Sequence, residues 1–171
     1  MTFKYFFLNL FFLLNLSIGI SQIIQITPAF PTVNDIITLQ YDASQGNGGL
    51  IGVSPVYTHT GVVTQNGLPG SWSYVQGLWG QPDSNVLMSD LGNNIHEMII
   101  DIDQYYGFPT GTNVEKLAFV FRNADGSLEG KTATMGDLFY PIYPVNGGFQ
   151  AAIIKPYTDL LVDVGDTFSF E

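Results

Sequence analysis

The chain has 171 residues, with 15 acidic against five basic side chains, and its formal net charge at pH 7 is −10. A surface this acidic repels phosphate backbones, so we do not expect nucleic acid as a partner. Aromatic residues make up 14% of the sequence and charged residues only 12%, a balance that excludes a disordered chain and favours a folded domain.

Residues 1–21 have the pattern of a signal peptide. Lys4 supplies a positive charge, the run from Tyr5 to Leu16 is apolar, and Gly19 and Ser21 are small residues near a cleavage point. The apolar run is shorter than the roughly 20 residues that a membrane-spanning helix needs. We therefore expect cleavage after Ser21, export from the cell, and no membrane span afterwards. Because the sequence has no cysteine, the hydrophobic core has to hold the fold without disulfides.

Glycine and proline separate short apolar runs along the rest of the chain, and this punctuation favours an all-β fold. Strands this short, divided by turn signals, are typical of an antiparallel β-sandwich. Ile102–Gly107 is expected to form one helical turn, and Leu91–Asn94 a hairpin loop. The predicted strands are Ile23–Thr27, Ile36–Asp42, Ser54–Thr64, Trp72–Leu78, Asn85–Ser89, Ile95–Asp101, Val114–Arg122 and Leu138–Tyr143.

A domain boundary is predicted at residue 144, where Pro144 begins a turn-rich segment. The sandwich would then occupy 22–143. Two or three further strands within 144–171 have the pattern of the start of a second immunoglobulin-like domain. So few strands cannot bury both faces of a sheet. We therefore interpret the chain as the N-terminal part of a longer secreted protein.

Aromatic side chains in the middle of the chain suggest a sugar-binding surface. Tyr57 and His59 are two residues apart on a predicted strand and so point to one face. Trp72, Tyr74 and Trp79 follow on the next segment. Aromatic rings can cover the C–H faces of sugars while polar neighbours bond the hydroxyls.

Three segments also carry a resemblance to a known type of module: Val56–Val62, Trp72–Gly80, and the strand-and-turn stretch Leu117–Lys131. Together they resemble the immunoglobulin-like, starch-binding type of module that precedes the catalytic domain in secreted α-amylase-like glycoside hydrolases of Bacteroidetes-type bacteria. The resemblance implies an immunoglobulin-like β-sandwich. It also implies α-glucan, starch or glycogen, as the ligand, with Tyr57, His59 and Trp72 as the leading contacts, and a hydrolase domain downstream in the same chain.

Other interpretations remain open for several of these residues. Trp72 and Trp79 can instead fill the core, and we expect Trp79 to lie deeper. Gln45 and Asn47, in the glycine-rich loop Asp42–Gly49, are candidates for bonds to sugar hydroxyls. The oxygens of that loop are also a candidate for Ca²⁺ binding, against the alternative of a solvated turn.

Catalysis is not expected of this chain. Asp101 and Asp103 flank one residue at a strand end, with Glu97 nearby, but nothing in the sequence predicts the cleft that a glycosidase carboxylate pair needs. No serine-hydrolase motif is present, and the two histidines and absent cysteines argue against zinc, so we predict no cofactor. Arg122, the only arginine, is expected to pair with Asp125, Glu129 or backbone carbonyls.

The sequence leads to two hypotheses about function, a binding module and a structural or capture protein. The first is a non-catalytic module that binds α-glucan and tethers a hydrolase to its substrate. The alternative is a structural immunoglobulin-like spacer, or a surface glycan-capture protein with no enzyme attached. If Tyr57, His59 and Trp72 share one solvent-facing surface, the binding hypothesis is favoured. If all three are buried, the spacer hypothesis is favoured.

Overall fold

Short alternating strands pack as two antiparallel sheets in the structure, a computed structural model that describes residues 22–68 and 70–145. The first sheet has the order β1–β2–β6–β5. Its strands are β1 (Ile24–Thr27), β2 (Ile36–Asp42), β5 (Ser89–Gly92) and β6 (Ile95–Asp101). The predicted signal peptide and the predicted second domain beyond residue 145 lie outside the described residues.

The second sheet is built around β3 (Tyr57–Thr64) and β7 (Val114–Arg122), with β4 (Ser73–Gln76) at one edge. The other edge of β7 pairs first with β9 (Leu138–Pro141) and then, near its end, with the two-residue β8 (Glu129–Gly130). This order matches the immunoglobulin arrangement, in which sheet A-B-E-D faces sheet C′-C-F-G. The predicted all-β sandwich is confirmed.

The core lies between the inner faces of the two sheets because apolar residues alternate with polar ones along the strands. On β2 the inward residues Ile37, Leu39 and Tyr41 are fully buried, and on β7 the inward residues are Leu117, Phe119 and Phe121. One helical turn, α1 (Ile102–Tyr106), follows β6, as the sequence predicts. Tyr106 of α1 is part of the core.

One predicted strand, Asn85–Ser89, is wrong. Residues Ser84–Val86 form a 3-10 turn instead, and β5 begins only at Ser89. The cause is local: the Asp83 carboxylate accepts the Asn85 amide proton and caps the turn. The short strand β8 was not among the predicted strands. The predicted strand Ser54–Thr64 begins later than expected, at Tyr57.

The loop between β5 and β6 confirms the predicted hairpin. Asn93 and Asn94 both adopt positive φ angles, of 52° and 64°, as the favoured two-residue hairpin turn requires. Within residues 22–68 and 70–145, no helix has the length and apolar character that crossing a membrane requires.

Candidate functional site

Tyr57 and His59 lie on the outer face of the second sheet, which confirms that they share one face of β3. Thr58 and Thr60, the residues of opposite parity, are buried on the inner side. Across the sheet, Tyr57 is paired with Arg122, and His59 with Val120. Thr58 and Thr60 are paired with Phe121 and Phe119, whose side chains point into the core. Because side chains alternate along a strand, Tyr57 and His59 therefore point outward.

Four aromatic rings follow one another across this outer face; we call them the ring row. His59 stacks with Trp72 at a centroid distance of 5.8 Å and an interplanar angle of 30°. Trp79 meets His59 edge-on at 5.3 Å, and Phe139 of β9 meets Trp72 edge-on at 6.4 Å. Trp79 is 42% exposed and Phe139 45% exposed, while His59 and Trp72 are half-buried. The row is therefore continuous and open to solvent.

The ring row lies over small side chains of the sheet. Ala118 and Val120 face outward on β7, yet both are buried. A Cβ added to Gly61 would lie 3.3 Å from the Cβ of Trp72 and 3.0 Å from the Ser73 carbonyl oxygen. The absence of a side chain at Gly61 thus lets the Trp72 backbone approach β3 closely, which places the indole over the sheet.

His59 holds a defined tautomer within the row. Its Nδ1 lies 2.9 Å from the carbonyl oxygen of Gly77, and because a carbonyl only accepts, Nδ1 carries the proton. A neutral His59 therefore presents a hydrogen-bond acceptor between two indole rings.

Arg122 is fully buried behind the Trp79 side of the row. Its Nη2 donates to the carbonyl oxygens of Leu78 (3.0 Å) and Gln81 (2.7 Å). Its Nη1 donates to those of Asn123 (3.0 Å) and Ala124 (3.2 Å). Burial lowers the pKa of the guanidinium below its usual value. Of the three partners predicted from the sequence, the backbone carbonyls are the ones observed.

Tyr57 does not contribute a solvent-facing ring, contrary to expectation. Its side chain is only 8% exposed, because the guanidinium of Arg122 lies over the ring, 5.2 Å from its centroid. Tyr74 is also outside the ring row. Its ring packs edge-on against Phe108 at 6.0 Å. The register of β4 against β3 shifts between Ser73 and Gln76, and Tyr74 has a φ of 53° there, so it does not follow Trp72 onto the outer face.

The expected depth of the two tryptophans is wrong. Trp79 is 42% exposed, whereas Trp72 is half-buried. The physical reason is that the backbone carbonyls of Gly77, Leu78 and Gln81 are bonded to His59 and Arg122. The indole at the tip of this loop then remains at the surface.

Gln45 and Asn47 are held in a different place, where the loop after β2 meets β8. The Asn47 side chain donates to the Glu129 carbonyl oxygen at 2.9 Å and accepts from the Lys131 amide at 3.0 Å. Gln45 donates to the hydroxyl of Ser44 at 3.2 Å. The Asn47 amide therefore fixes the loop to β8, which corrects the expectation that it is available for sugar hydroxyls.

The carboxylates of Asp101, Glu97 and Asp42 have local structural partners. Asp101 caps α1 by accepting the Gln104 amide proton, and Glu97 accepts from the Gln40 side chain at 2.8 Å. The Asp42 carboxylate accepts from the amide and hydroxyl of Ser44, which is the geometry of a polar turn. Among residues 22–68 and 70–145, no three His, Cys, Asp or Glu side chains come together as a metal site.

An open cavity of about 360 Å³ lies at the opposite end of the second sheet, where β7 begins. Its lining includes Val33, Val114, Ile142 and the carboxylate-bearing Glu115. It contains none of the predicted binding residues. The ring row is thus the better candidate for the functional site.

Phe139 is the ring that the sequence analysis missed. The alternation of Leu138 and Tyr140 as inward residues of β9 gives its parity, but only the pairing of Phe139 with Ala118 brings it beside Trp72. That register comes from tertiary structure. Alternation along β9 therefore predicts which face Phe139 lies on, but not that it contacts Trp72.

Comparison with known proteins gives a family and no activity. No curated protein matches the chain significantly. A family model described as a domain of unknown function, DUF8578, matches residues 24–129, a range that extends from β1 to β8. Because this match covers more than half of the sequence, the chain belongs to the DUF8578 family.

Proposed function

We propose that this domain is a non-catalytic carbohydrate-binding module that takes a neutral α-glucan on the ring row. The observation that carries the proposal is the continuous contact of Trp79, His59, Trp72 and Phe139 on an open sheet face. Among the rings expected to bind, Tyr57 is buried and Tyr74 lies elsewhere. Phe139, which was not among the predicted binding residues, contributes the fourth ring.

The chemistry of the row suits a sugar chain. The apolar faces of indole and phenyl rings can cover the C–H faces of pyranose rings. The rings are mutually tilted, by 30° to 87°, so they form a bent surface that suits the curved row of sugars in a starch helix. Nε2 of His59 lies among them as a partner for a sugar hydroxyl. Bonds of this kind orient a ligand that stacking alone would leave free to slide.

Charge supports a neutral ligand. The chain carries a net charge of −10, which disfavours anionic polysaccharides and nucleic acids through long-range repulsion. One lysine lies at the rim of the row: Nζ of Lys116 is 5.9 Å from the Phe139 centroid. One ammonium group at the rim does not reverse the sign of the surface field.

The proposed setting is a secreted protein whose signal peptide occupies residues 1–21. In that setting the module would tether an α-amylase-type hydrolase domain, further along the same chain, to its polysaccharide. Tethering raises the local concentration of substrate around the enzyme without any new contact in the active site.

Native gel electrophoresis with and without amylopectin in the gel tests the binding. We expect the wild-type chain to be retarded, with a dissociation constant between about 1 mM and 1 μM. Trp72→Ala and Phe139→Ala should each reduce the retardation. Ile99→Ala is the matched control, because Ile99 is 66% exposed on the outer face of the other sheet. Mobility unaffected by amylopectin would overturn the proposal and favour the spacer interpretation.

A reducing-sugar assay tests whether the chain is non-catalytic. Incubation with soluble starch should release no sugar, because Asp101 caps α1 and Glu97 is bonded to Gln40. Sugar release by the wild-type chain that disappears on Asp101→Ala would contradict this part of the proposal.

A further inference from the structure

The loop that carries Trp79 is held by its backbone rather than by its side chains. Three carbonyl oxygens of residues 77–81 accept hydrogen bonds from two side chains of the outer face. His59 bonds the oxygen of Gly77, and Arg122 bonds those of Leu78 and Gln81. The exposed side chains of this loop include those of Leu78, which is 74% exposed, and Trp79.

Arg122 also bonds the turn that follows β7. The same guanidinium donates to the carbonyl oxygens of Asn123 and Ala124, so one side chain joins two separate backbone segments through four acceptors. Arginine suits this role because its planar fork of N–H donors is rigid. Since Arg122 is fully buried, it has no surface with which to touch a ligand.

The two segments that Arg122 joins are also in contact around Trp79. A Cβ added to Gly126 would lie 2.6 Å from Nε1 of Trp79, and one added to Gly80 would lie 2.9 Å from the Asp125 carbonyl oxygen. The indole therefore rests directly on the backbone of the turn at Gly126. Displacement of the Trp79 loop or of the turn at Gly126 would therefore remove the packing contact that holds the indole.

We propose that Arg122 is a positioning residue that sets the indole of Trp79 in the ring row before any ligand arrives. This inference deepens the function proposed above and rests on it for its effect on affinity. A ring that is already ordered does not lose its conformational freedom on binding, so binding costs less entropy than it would for a flexible ring. Lysine has one ammonium group and cannot reach four carbonyls in a fork.

The two tryptophans of the sequence make a direct test possible. Trp72→Phe leaves Trp79 as the only tryptophan, so fluorescence reports on that ring alone. In this background and in the full chain, we expect Arg122→Lys to increase acrylamide quenching and lower the fluorescence anisotropy of Trp79. Lys116→Met is the matched control: it removes another cation from the outer face of β7, beside Phe139 instead of Trp79, and should leave both signals unchanged.

The affinity effect is measured with Trp72 intact. Arg122→Lys should weaken retardation by amylopectin by about twofold to tenfold, the range that corresponds to ordering one side chain. Circular dichroism should show the same sheet content as the wild-type chain. Lack of retardation of the wild-type chain would refute glucan binding, while the fluorescence comparison would still decide whether Arg122 positions Trp79.

Other results would overturn the positioning role. Unchanged quenching and anisotropy in folded Arg122→Lys would show that the loop holds Trp79 without the guanidinium. If Arg122→Lys does not fold, Arg122→Met repeats the measurement with an uncharged side chain of similar length. Failure of both variants to fold would mean that Arg122 stabilises the whole domain, and the proposal would be abandoned.

Discussion

Tyr41 of β2 and Phe121 of β7 stack face to face between the two sheets, with ring centroids 3.8 Å apart and planes within 12° of parallel. In the immunoglobulin strand order these strands are B and F, which antibody domains join by a disulfide. This chain has no cysteine. A stacked aromatic pair thus links the same two strands, and burial of apolar area takes over from a covalent bond.

The two partners of this stack should respond differently to substitution. Phe121→Ala should lower the free energy of unfolding by about 3–5 kcal/mol, because a large buried ring leaves a cavity. Tyr41→Phe should change it by less than about 1 kcal/mol or raise it, because the buried hydroxyl has no partner among the described residues. Urea unfolding measures both. A loss of more than about 2 kcal/mol in Tyr41→Phe would show that the hydroxyl has a stabilising partner.

A buried hydroxyl pair under the sheet gives a second prediction. Thr60 donates to the Ala118 carbonyl oxygen at 2.8 Å, and the Tyr106 hydroxyl, 2.7 Å away, then donates to Thr60. Thr60→Val should cost about 1–3 kcal/mol, because it leaves the Tyr106 hydroxyl buried and unpaired. The double variant Thr60→Val with Tyr106→Phe should cost less than the sum of the two single changes. Strict additivity in the double-mutant cycle would contradict this coupling.

Alternation along the chain predicted much of the fold. The strands 36–42, 95–101 and 114–122 were predicted with the observed bounds, because apolar residues of one parity face a core that is buried on one side. The predicted strand at Asn85–Ser89 was wrong because of a local hydrogen bond. The Asp83 carboxylate offers the backbone a local hydrogen bond, and a short run of apolar residues does not reveal that competition.

The candidate site was only partly predictable, for reasons of tertiary structure. Parity put Tyr57 and His59 on one face, but it could not show that Arg122 covers Tyr57. It could not show that Phe139 joins Trp72 either, because their contact depends on the register of β9. The exposure of Trp79 depends on where its loop carbonyls are bonded, and residue type carries no information about this.

The fixed loop at Asn47 gives a third prediction. Its side-chain amide bonds the backbone of Glu129 and Lys131, and so it joins the loop after β2 to β8. Asn47→Ala should lower the free energy of unfolding by about 1–3 kcal/mol, at 0.5–1.5 kcal/mol for each lost bond. Glucan binding should be unchanged. Gln45→Ala is the control and should have little effect on stability, because among the described residues the Gln45 side chain bonds only the neighbouring Ser44 hydroxyl. Reduced retardation by amylopectin in folded Asn47→Ala would return Asn47 to the binding site.

His96 should make stability depend on pH below neutrality. Its side chain is 2% exposed, and burial lowers its pKa, although the nearby Asp90 carboxylate acts in the opposite direction. The unfolded chain, with an ordinary histidine pKa of about 6.5, then binds a proton at a pH where the folded chain does not. Stability is therefore fully present above about pH 6.5 and falls as the pH drops from there toward the lowered pKa of the folded state.

Urea unfolding at pH 7.5, 6.5 and 5.5 measures this dependence, and His96→Leu is the informative variant. The wild-type chain should lose stability across this range, and the variant should lose less, since leucine binds no proton. Asp90 and Asp125 also have lowered pKa values, from hydrogen bonds with Gly92 and Ser127 respectively. Their contribution is lost only as the pH falls below about 3.8, the ordinary value for aspartate, so it does not overlap the histidine window. Equal slopes for the wild-type chain and His96→Leu between pH 7.5 and 5.5 would show that His96 is not the titrating group.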